Sequence, residues 1–327
     1  MPPNKYDSLM KSVLLFSFIL VVSSSLFSCR NDQEDFGQMK GINYFSRNDA
    51  FSSQEISFEN SAGIANDTLK KSAILSIEPN TFVNEDGSSF SGKVVMHVTG
   101  EYVRGYMALY STPSTNNDKP LISDGGVYTV ANDLYGHNLK IASGKNFTIS
   151  IPGGNTPNQN KLFYADDNVK DPSPANTSLF EWNEASSDIV ENYFDSNSNK
   201  YFYTLKPTQL GWASCARSYA LINPVGIKVR VLGINPLYSN NTAVYVIPKT
   251  TKNVIRLWNY DKTSNTFSMD KPLLESGTDV FVIVISSTRK FKIYYVKDEC
   301  VVDGSTFKVV TAVETSLNSI ATNLYYL

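Results

Sequence analysis

Apolar and polar positions alternate with a period of two over much of the chain beyond residue 72. In the segment from Lys93 to Thr99, Val94, Met96 and Val98 fall on one face, which is typical of a half-buried strand. Similar segments are separated by turn-forming Gly, Pro, Asn and Asp residues at intervals of roughly ten residues. This spacing predicts a β-sandwich or a barrel.

A second β-rich region follows a stretch rich in proline, asparagine and serine, residues 153–199, which we interpret as the junction between two halves. Beyond it, Ile227, Val229 and Val231 alternate with charged residues and predict a half-buried strand. The segment from Val280 to Ile285 is apolar on both faces, so it is predicted to be a central strand.

Only one good helix is predicted beyond the N-terminal region. Val313, Leu317, Ile320 and Leu324 recur at intervals of three or four residues. This spacing predicts a short C-terminal helix between Val313 and Leu324.

The N-terminal region has the three parts of an export signal. Lys5 and Lys11 supply a basic start, and the apolar run from Val13 to Val22 is shorter than the roughly 20 residues that a membrane-spanning helix needs. The segment ends in Leu26-Phe27-Ser28-Cys29, which resembles the lipobox of bacterial lipoproteins. That resemblance implies cleavage before Cys29 and lipid attachment to its thiol. The alternatives are an ordinary secretory signal and an uncleaved anchor.

The residues after Cys29 bear on location. Arg30 is followed by an acidic stretch, residues 31–35, which resembles the tether of lipoproteins sent to the cell exterior. The sequence therefore predicts a lipid-anchored protein of the outer membrane. Exposure at the cell surface and a periplasmic orientation both stay open, and the acidic stretch could also be a simple solvated linker.

The predicted fold class is mostly β, with two β-sandwich-like domains after a flexible tether and a short C-terminal helix. The predicted parts are a lipoprotein signal peptide (1–28), the lipidated cysteine with its flexible tether (29–72), a first β-sandwich-like domain with its junction segment (73–222), and a second β-rich domain that ends in the helix (223–327).

The charge balance argues against nucleic acid as a partner. The formal net charge is −2, and it becomes −3 once the signal peptide takes away two lysines and one aspartate. Nucleic-acid binding usually depends on a basic patch. The motifs GxxxxGK[ST] and GxGxxG are also absent, so no nucleotide cofactor, and no other cofactor, is predicted.

Cysteine and histidine are scarce. With Cys29 lipidated, Cys215 and Cys300 remain; they could form a disulfide in an oxidising compartment or be two buried thiols. The chain has no CxxC motif and only two histidines, His97 and His137, so no metal site is predicted.

No catalytic residues are predicted. A hydrolase with a histidine base would depend on His97 or His137, and no GxSxG motif supplies a nucleophile. Carboxylate pairs could cleave glycosides, and the candidates are Glu85 with Asp86, Asp166 with Asp167, and Glu181 with Glu184. Each candidate pair lies in a loop-like stretch, where acidic residues are also common for solubility alone.

Exposed aromatic side chains could instead stack on sugars. Trp182 and Trp258 are the candidate ligand-stacking residues. Trp212 follows a glycine and is interpreted as an anchor in the core or at the junction between the halves.

Several segments resemble a family of Bacteroidota surface lipoproteins. The resemblance rests on Lys71 to Val83, Gly92 to Val98, Gly125 to Tyr128, and Gly211 to Cys215, and it covers roughly residues 70–220. Its first part looks like the β-sandwich of netrin receptors and tight-junction scaffold proteins. Some relatives of that sandwich cleave themselves at His-Phe-Ser, but here Phe90-Ser91 is not preceded by histidine. Members of the lipoprotein family mostly have unknown functions, so the resemblance implies a fold and an address.

The sequence thus predicts a lipid-anchored cell-envelope lipoprotein that acts as a non-catalytic binding or structural module. Its expected partners are the membrane, through the N-terminal lipid, and either a glycan or another envelope protein. The alternative is a carbohydrate-active hydrolase that uses a carboxylate pair.

Overall fold

The computed structural model describes residues 53–69, 73–101, 103–109, 114–116, 119–153, 160–165, 182–189, 191–196, 199–239, 241–288 and 292–327. All of them belong to one compact unit. The predictions for the signal peptide, for Cys29 and for the tether up to residue 52 lie outside the described residues. The fold of the described part is mostly β, which confirms the predicted class.

The first half of the described chain contains the following elements: β1 (Ser53–Glu59), β2 (Ile64–Thr68), β3 (Ile74–Ile77), β4 (Phe82–Asn84), β5 (Lys93–Glu101), α1 (Arg104–Leu109), β6 (Thr115–Asn116), β7 (Lys119–Asp133), β8 (Leu139–Ile141), β9 (Phe147–Gly153), β10 (Lys161–Ala165), β11 (Trp182–Ile189), β12 (Glu191–Asp195), β13 (Lys200–Leu205) and β14 (Gly211–Ser218).

Two sheets of these strands pack face to face and form the first sandwich. One sheet has the order β1-β5-β7-β14-β10-β11, with β6 paired to β7, and the other has the order β12-β13-β9-β3-β2. In β5 the predicted alternation is confirmed, because Val94, Met96 and Val98 are buried. The core between the sheets includes Phe58, Leu75, Val94, Met96, Phe147, Ile149 and Tyr203.

Two sequence predictions for this half are wrong. The tether was expected to reach residue 72, yet β1 and β2 belong to the two sheets. In β1, Ile56 and Phe58 point into the core between exposed polar neighbours, so this edge strand has the same period as the others. Residues 153–199 were interpreted as a junction, but β10, β11 and β12 within that stretch are strands of the first sandwich.

The second half contains the remaining elements: β15 (Pro224–Val225), β16 (Lys228–Leu232), β17 (Thr242–Pro248), β18 (Ile255–Leu257), β19 (Asn259–Asp261), β20 (Thr266–Ser268), β21 (Leu274–Glu275), β22 (Thr278–Ser287), β23 (Ile293–Val302), β24 (Phe307–Thr311), β25 (Val313–Thr315) and α2 (Leu317–Tyr325).

The second sandwich pairs a sheet of order β19-β20-β16-β24 with a sheet of order β18-β17-β22-β23-β25. The strand predicted from Ile227, Val229 and Val231 is confirmed as β16, whose inward residues are buried. The central strand predicted at Val280 to Ile285 is confirmed as part of β22, which lies between β17 and β23. Residues from both sheets form the core, including Val229, Val231, Val244, Val246, Phe267, Val282, Val284 and Val310.

The second face of the β22 sheet is covered by the two helices. Met107 and Ala108 of α1 and Ile320 and Leu324 of α2 are buried there, against a layer that includes Tyr245, Ile283 and Ile285. Helix α1 lies between β5 and β6 in the chain, so a segment of the first half completes a core of the second half. No helix in the described part of the chain has the length and apolar character needed to cross a membrane.

The predicted C-terminal helix is confirmed in a shorter form. Helix α2 begins at Leu317, because the side chain of Ser316 accepts a hydrogen bond from the backbone N–H of Ser319 and caps it. Val313 was expected in the helix but lies in β25, where it is exposed.

Candidate ligand-binding site at the junction of the sandwiches

A β-bulge in the first sandwich places a carboxylate at the junction of the two halves. Gly125 pairs with Cys215 and Ser123 pairs with Ala216, so Asp124 has no partner across the strands. An extra residue of this kind locally twists the strand and redirects its side chain. The side chain of Asp124 is only 2% exposed.

Asp124 binds groups from both halves. The Nζ atom of Lys252, in the loop after β17, lies 2.5 Å from Oδ1 of Asp124. The side-chain amide of Asn160 donates to Oδ2 over 3.2 Å, and Arg217 donates to the amide oxygen of Asn160 over 3.4 Å. The buried carboxylate is therefore compensated by a cation and an amide, as a buried charge must be.

Hydrogen bonds hold the loop after β17 against the first half. The backbone N–H of Val254 donates to Oγ of Ser114 over 2.6 Å, and Ser114 N–H donates to the carbonyl oxygen of Val254 over 2.7 Å. The side chain of Asn253 donates to the hydroxyl of Tyr219 over 3.0 Å. Arg104 of α1 donates to the carbonyl oxygens of Pro248 and Thr251, over 2.7 and 2.8 Å. The junction is thus a fixed surface built from both sandwiches.

Aromatic rings cover the first-sandwich side of this junction. Trp182 packs with Leu121, Phe163, Ala165 and Ala216. The ring of Trp182 lies against Gly126, where a Cβ atom would meet the ring at 3.2 Å. Glycine in β7 therefore allows the indole to lie close to the strand.

Trp212 extends this aromatic surface. Its ring is edge-on to that of Trp182, with centroids 6.3 Å apart, and it lies 5.2 Å from the ring of Tyr128. Trp212 and Tyr128 are both half-buried. Trp258 packs against the same cluster from the second half. All three tryptophans of the chain therefore meet at the junction.

The two predicted ligand-stacking residues have different outcomes. Trp182 is 1% exposed, so the prediction that it stacks on a ligand is wrong. It is a core residue because four buried apolar neighbours and the strand at Gly126 enclose it. Trp258 is half-buried, and its ring already stacks on a side chain of the protein, Arg256.

Arg256 lies on β18, which ends at Leu257, and its side chain contacts the ring of Trp258, the residue that follows the strand. Its guanidinium carbon lies 3.8 Å from the ring centroid of Trp258 and 6.0 Å from that of Tyr245. Desolvation lowers the pKa of Arg256. Within the described part of the chain, no acceptor forms a hydrogen bond or an ion pair with the guanidinium.

Such an arrangement can bind an anion. A guanidinium stacked on an indole keeps its in-plane N–H groups available, and these match the two oxygens of a carboxylate or sulfate. Arg256 was not among the residues predicted from the sequence. The available signal was its spacing of two residues from Trp258, since residues i and i+2 share a face wherever the chain is extended.

Of the two alternatives left open for Cys215 and Cys300, the disulfide is not formed. Both cysteines are free thiols: Cys215 is buried in the core of the first sandwich, and Cys300 packs against the core of the second. They lie on β14 and β23, in different sandwiches, and the alternative prediction of two thiols agrees with this. Burial raises the pKa of both groups.

The histidines lie away from the junction cluster. His97 on β5 is 4.0 Å from a carboxylate oxygen of Glu55 on β1, and its side chain is half-exposed. His137 contacts Asp133 at 2.8 Å within an exposed turn, where Asp133 also accepts from the backbone N–H of Tyr135. Both contacts are surface pairs of histidine and carboxylate.

The candidate carboxylate pairs also have ordinary positions where they are described. Glu85 and Asp86 lie in an exposed turn in which Ser88 donates to Asp86, lowering its pKa. Glu184 forms an ion pair with Lys161. Asp166, Asp167 and Glu181 lie outside the described residues. The described residues contain no group of three histidine, cysteine or acidic side chains placed to hold a metal ion.

No protein-family model matches the chain, and no curated protein is similar enough in sequence to count as a match.

Proposed function

We propose that this protein is a lipid-anchored cell-envelope lipoprotein that acts as a non-catalytic binding module, with its ligand held at the junction of the two sandwiches. The observation that carries the proposal is the half-buried surface formed by Trp212, Trp258 and Arg256. Ligand sites commonly lie between domains and combine apolar walls with a few polar groups.

The contacts of the acidic side chain at the junction favour binding over hydrolysis. A glycosidase needs two carboxyl groups facing one bond, about 5 to 10 Å apart. At the junction, Asp124 is already bound to Lys252 and Asn160. Both oxygens of this carboxylate are thus engaged in contacts, and the contact with Lys252 joins the two sandwiches.

Binding can be followed with the intrinsic fluorescence of the protein, because all three tryptophans lie at the junction. The full chain in detergent would be titrated with a panel of soluble polysaccharides, and product release would be measured in parallel. We expect a change in emission without any cleavage of the polysaccharide.

The Trp258→Ala variant should lose this response. The control is Tyr135→Ala, which removes an aromatic side chain that is 87% exposed on a turn of the first sandwich and whose ring contacts His137. Equal binding by the two variants would contradict the junction site. Release of reducing sugar by the wild-type chain would favour the hydrolase instead.

The lipid anchor rests on the sequence ending in Cys29. Two or more acyl chains anchor a protein stably, since each buried CH₂ contributes about 0.8 kcal/mol. Cys29→Ser should abolish labelling by a fatty-acid probe and release the chain from membranes. A substituted protein that still sediments with membranes after a high-salt wash would disprove this part of the proposal.

The outer-membrane location needs a separate measurement. Fractionation of the envelope should place the wild-type chain with outer-membrane markers. Protease added to intact cells would then separate a surface orientation, in which the chain is cleaved, from a periplasmic one, in which it is protected.

A further inference from the structure

Arg256 is a charged side chain whose surroundings leave its hydrogen-bonding capacity unused. Arginine is rarely buried without a partner, because a desolvated cation needs an acceptor or an opposite charge. The other half-buried arginines of the described chain have acceptors: Arg104 binds backbone carbonyl oxygens, and Arg217 binds the amide of Asn160. The guanidinium of Arg256 instead contacts the rings of Trp258 and Tyr245.

The two rings fix the orientation of this cation. Tyr245 is fully buried and pairs with Arg256 across β17 and β18, so this wall of the site is part of a rigid sheet. Trp258 lies on the guanidinium at 3.8 Å, a distance typical of a strong cation–π contact. A cation held in this way loses little side-chain entropy when it binds an anion.

The charged side chains close to Arg256 do not oppose the binding of an anion. Asp124, the buried carboxylate of the junction, is compensated by Lys252 and Asn160. Lys252 belongs to the same loop that leads into β18. Asp124 therefore leaves no free negative charge to neutralise Arg256, which adds a positive charge with no acidic partner among the described residues.

We propose that Arg256 binds the acidic group of a saccharide, a carboxylate or a sulfate, while the sugar ring lies along the exposed part of Trp258. The in-plane N–H groups of the guanidinium match both oxyanions with two parallel hydrogen bonds. Apolar C–H groups of a sugar ring match the indole. This inference names the ligand class for the junction site and rests on the proposed binding function.

The test uses the full chain in detergent and three probes of matched length: oligogalacturonate for carboxylate, chondroitin sulfate oligosaccharides for sulfate with carboxylate, and dextran oligosaccharides as the neutral sugar. Binding is measured from tryptophan emission and, independently, by calorimetry. We expect both acidic probes to bind more tightly than the neutral probe, and the better of the two identifies the preferred oxyanion.

Arg256→Gln should weaken the acidic probes by roughly 10- to 100-fold, as expected for the loss of a charge-assisted hydrogen bond, and should thereby remove the preference for acidic over neutral probes. Arg256→Lys keeps the charge but loses the planar fork, so it should weaken binding by a smaller factor. The matched control is Arg230→Gln, because Arg230 is exposed on the outer face of β16 and faces away from the core. It should bind like the wild type.

Melting temperatures measured with and without the probes show that each variant is folded and give a second measure of binding. Acidic probes should raise the melting temperature of the wild type and of Arg230→Gln, and should fail to raise that of Arg256→Gln. Unchanged affinity for acidic probes in Arg256→Gln, or equal affinity of the wild type for acidic and neutral probes, would overturn the inference while leaving the binding function intact. If Trp258→Ala lost binding to every probe while the wild type showed no preference for acidic sugars, the junction would still be the binding site. The role of Arg256 in binding an acidic group would then be wrong.

Discussion

Lys252 and Asp124 form an ion pair that joins the two sandwiches, with Nζ of the lysine 2.5 Å from Oδ1 of the aspartate. The aspartate side chain is 2% exposed and the lysine side chain is 49% exposed. The carboxylate thus depends on Lys252 and Asn160 for compensation, whereas the lysine can also be solvated by water.

Asp124→Ala should therefore destabilise the protein. Breaking a fully buried pair costs roughly 3 to 5 kcal/mol. Because Lys252 keeps contact with solvent, we expect a smaller loss in the free energy of unfolding, about 2 kcal/mol. The measurement is urea unfolding followed by circular dichroism.

The matched control is the pair of Lys292 and Glu314 at the surface of the second sandwich, where both side chains are about half-exposed. Glu314→Ala should leave the unfolding curve unchanged, since exposed pairs contribute little. A change of equal size in the two variants would show that the pair at the junction has no special role.

Gly105 in α1 makes a second prediction. A Cβ atom at this position would overlap the carbonyl oxygen of Leu324 in α2, and backbone cannot move as a flexible side chain can. Gly105→Ala should lower the free energy of unfolding by about 2 kcal/mol, because overpacking outweighs the gain of about 1 kcal/mol in helix propensity. Thermal unfolding would measure this.

Gly226→Ala is the control for that substitution. No heavy atom lies within 4 Å of the position that its Cβ would occupy. This variant should be as stable as the wild type or slightly more stable, because alanine restricts the unfolded chain. If Gly105→Ala behaved in the same way, the close contact between α1 and α2 would not be part of the folded state.

Strands were predictable from the sequence where the apolar and polar residues of a single strand showed which of its faces is buried. The alternation in β16 and the two apolar faces of β22 are visible in the sequence, because a side-chain period of two directly reports which face is buried. The C-terminal helix was predictable for the same reason, and its starting point was missed because Ser316 acts as the cap.

Helix α1 was not predictable in this way. Its six residues are too few to show a helical period, and so short a helix is stable only through tertiary packing. That packing comes from α2 and the β22 sheet, more than 130 residues further along the chain. The candidate site was predictable only in part, for the same reason. Trp258 was a candidate by its residue type alone. That Arg256 has no acceptor depends on which segments surround it, and the sequence does not show this.

Tyr295 gives a third prediction. Its hydroxyl is buried between the β22 sheet and the helices and has no hydrogen-bond partner among the residues that the structure describes. An unsatisfied buried polar group costs about 1 to 3 kcal/mol, so Tyr295→Phe should raise the free energy of unfolding by about 1 kcal/mol. As a control, Tyr260→Phe should lower it, because the Tyr260 hydroxyl donates to the carbonyl oxygen of Leu237.

The same side chain predicts a dependence on alkaline pH. Burial raises the pKa of Tyr295 to about 12 from its ordinary value of 10. The neutral phenol therefore contributes stability that is complete below pH 10 and is lost as the pH rises towards 12. Tyr295→Phe should lose less stability over this range than the wild type. Parallel curves for the two proteins between pH 10 and pH 12 would contradict the assignment.

The two thiols provide the last prediction, made for the Cys29→Ser variant so that only Cys215 and Cys300 remain. A thiolate is the reactive form, and burial raises the pKa of both groups. Cys215 is fully buried and Cys300 only partly, so a maleimide should label Cys300 slowly in the native protein and leave Cys215 unmodified. Labelling of Cys300 should become faster as the pH rises towards 9. In urea without a reductant, mass spectrometry should find a label on both. If neither cysteine were labelled in urea until a reductant was added, the two would form a disulfide, which would contradict the free thiols of the structure. As a control, Cys300→Ser should abolish labelling of the native protein.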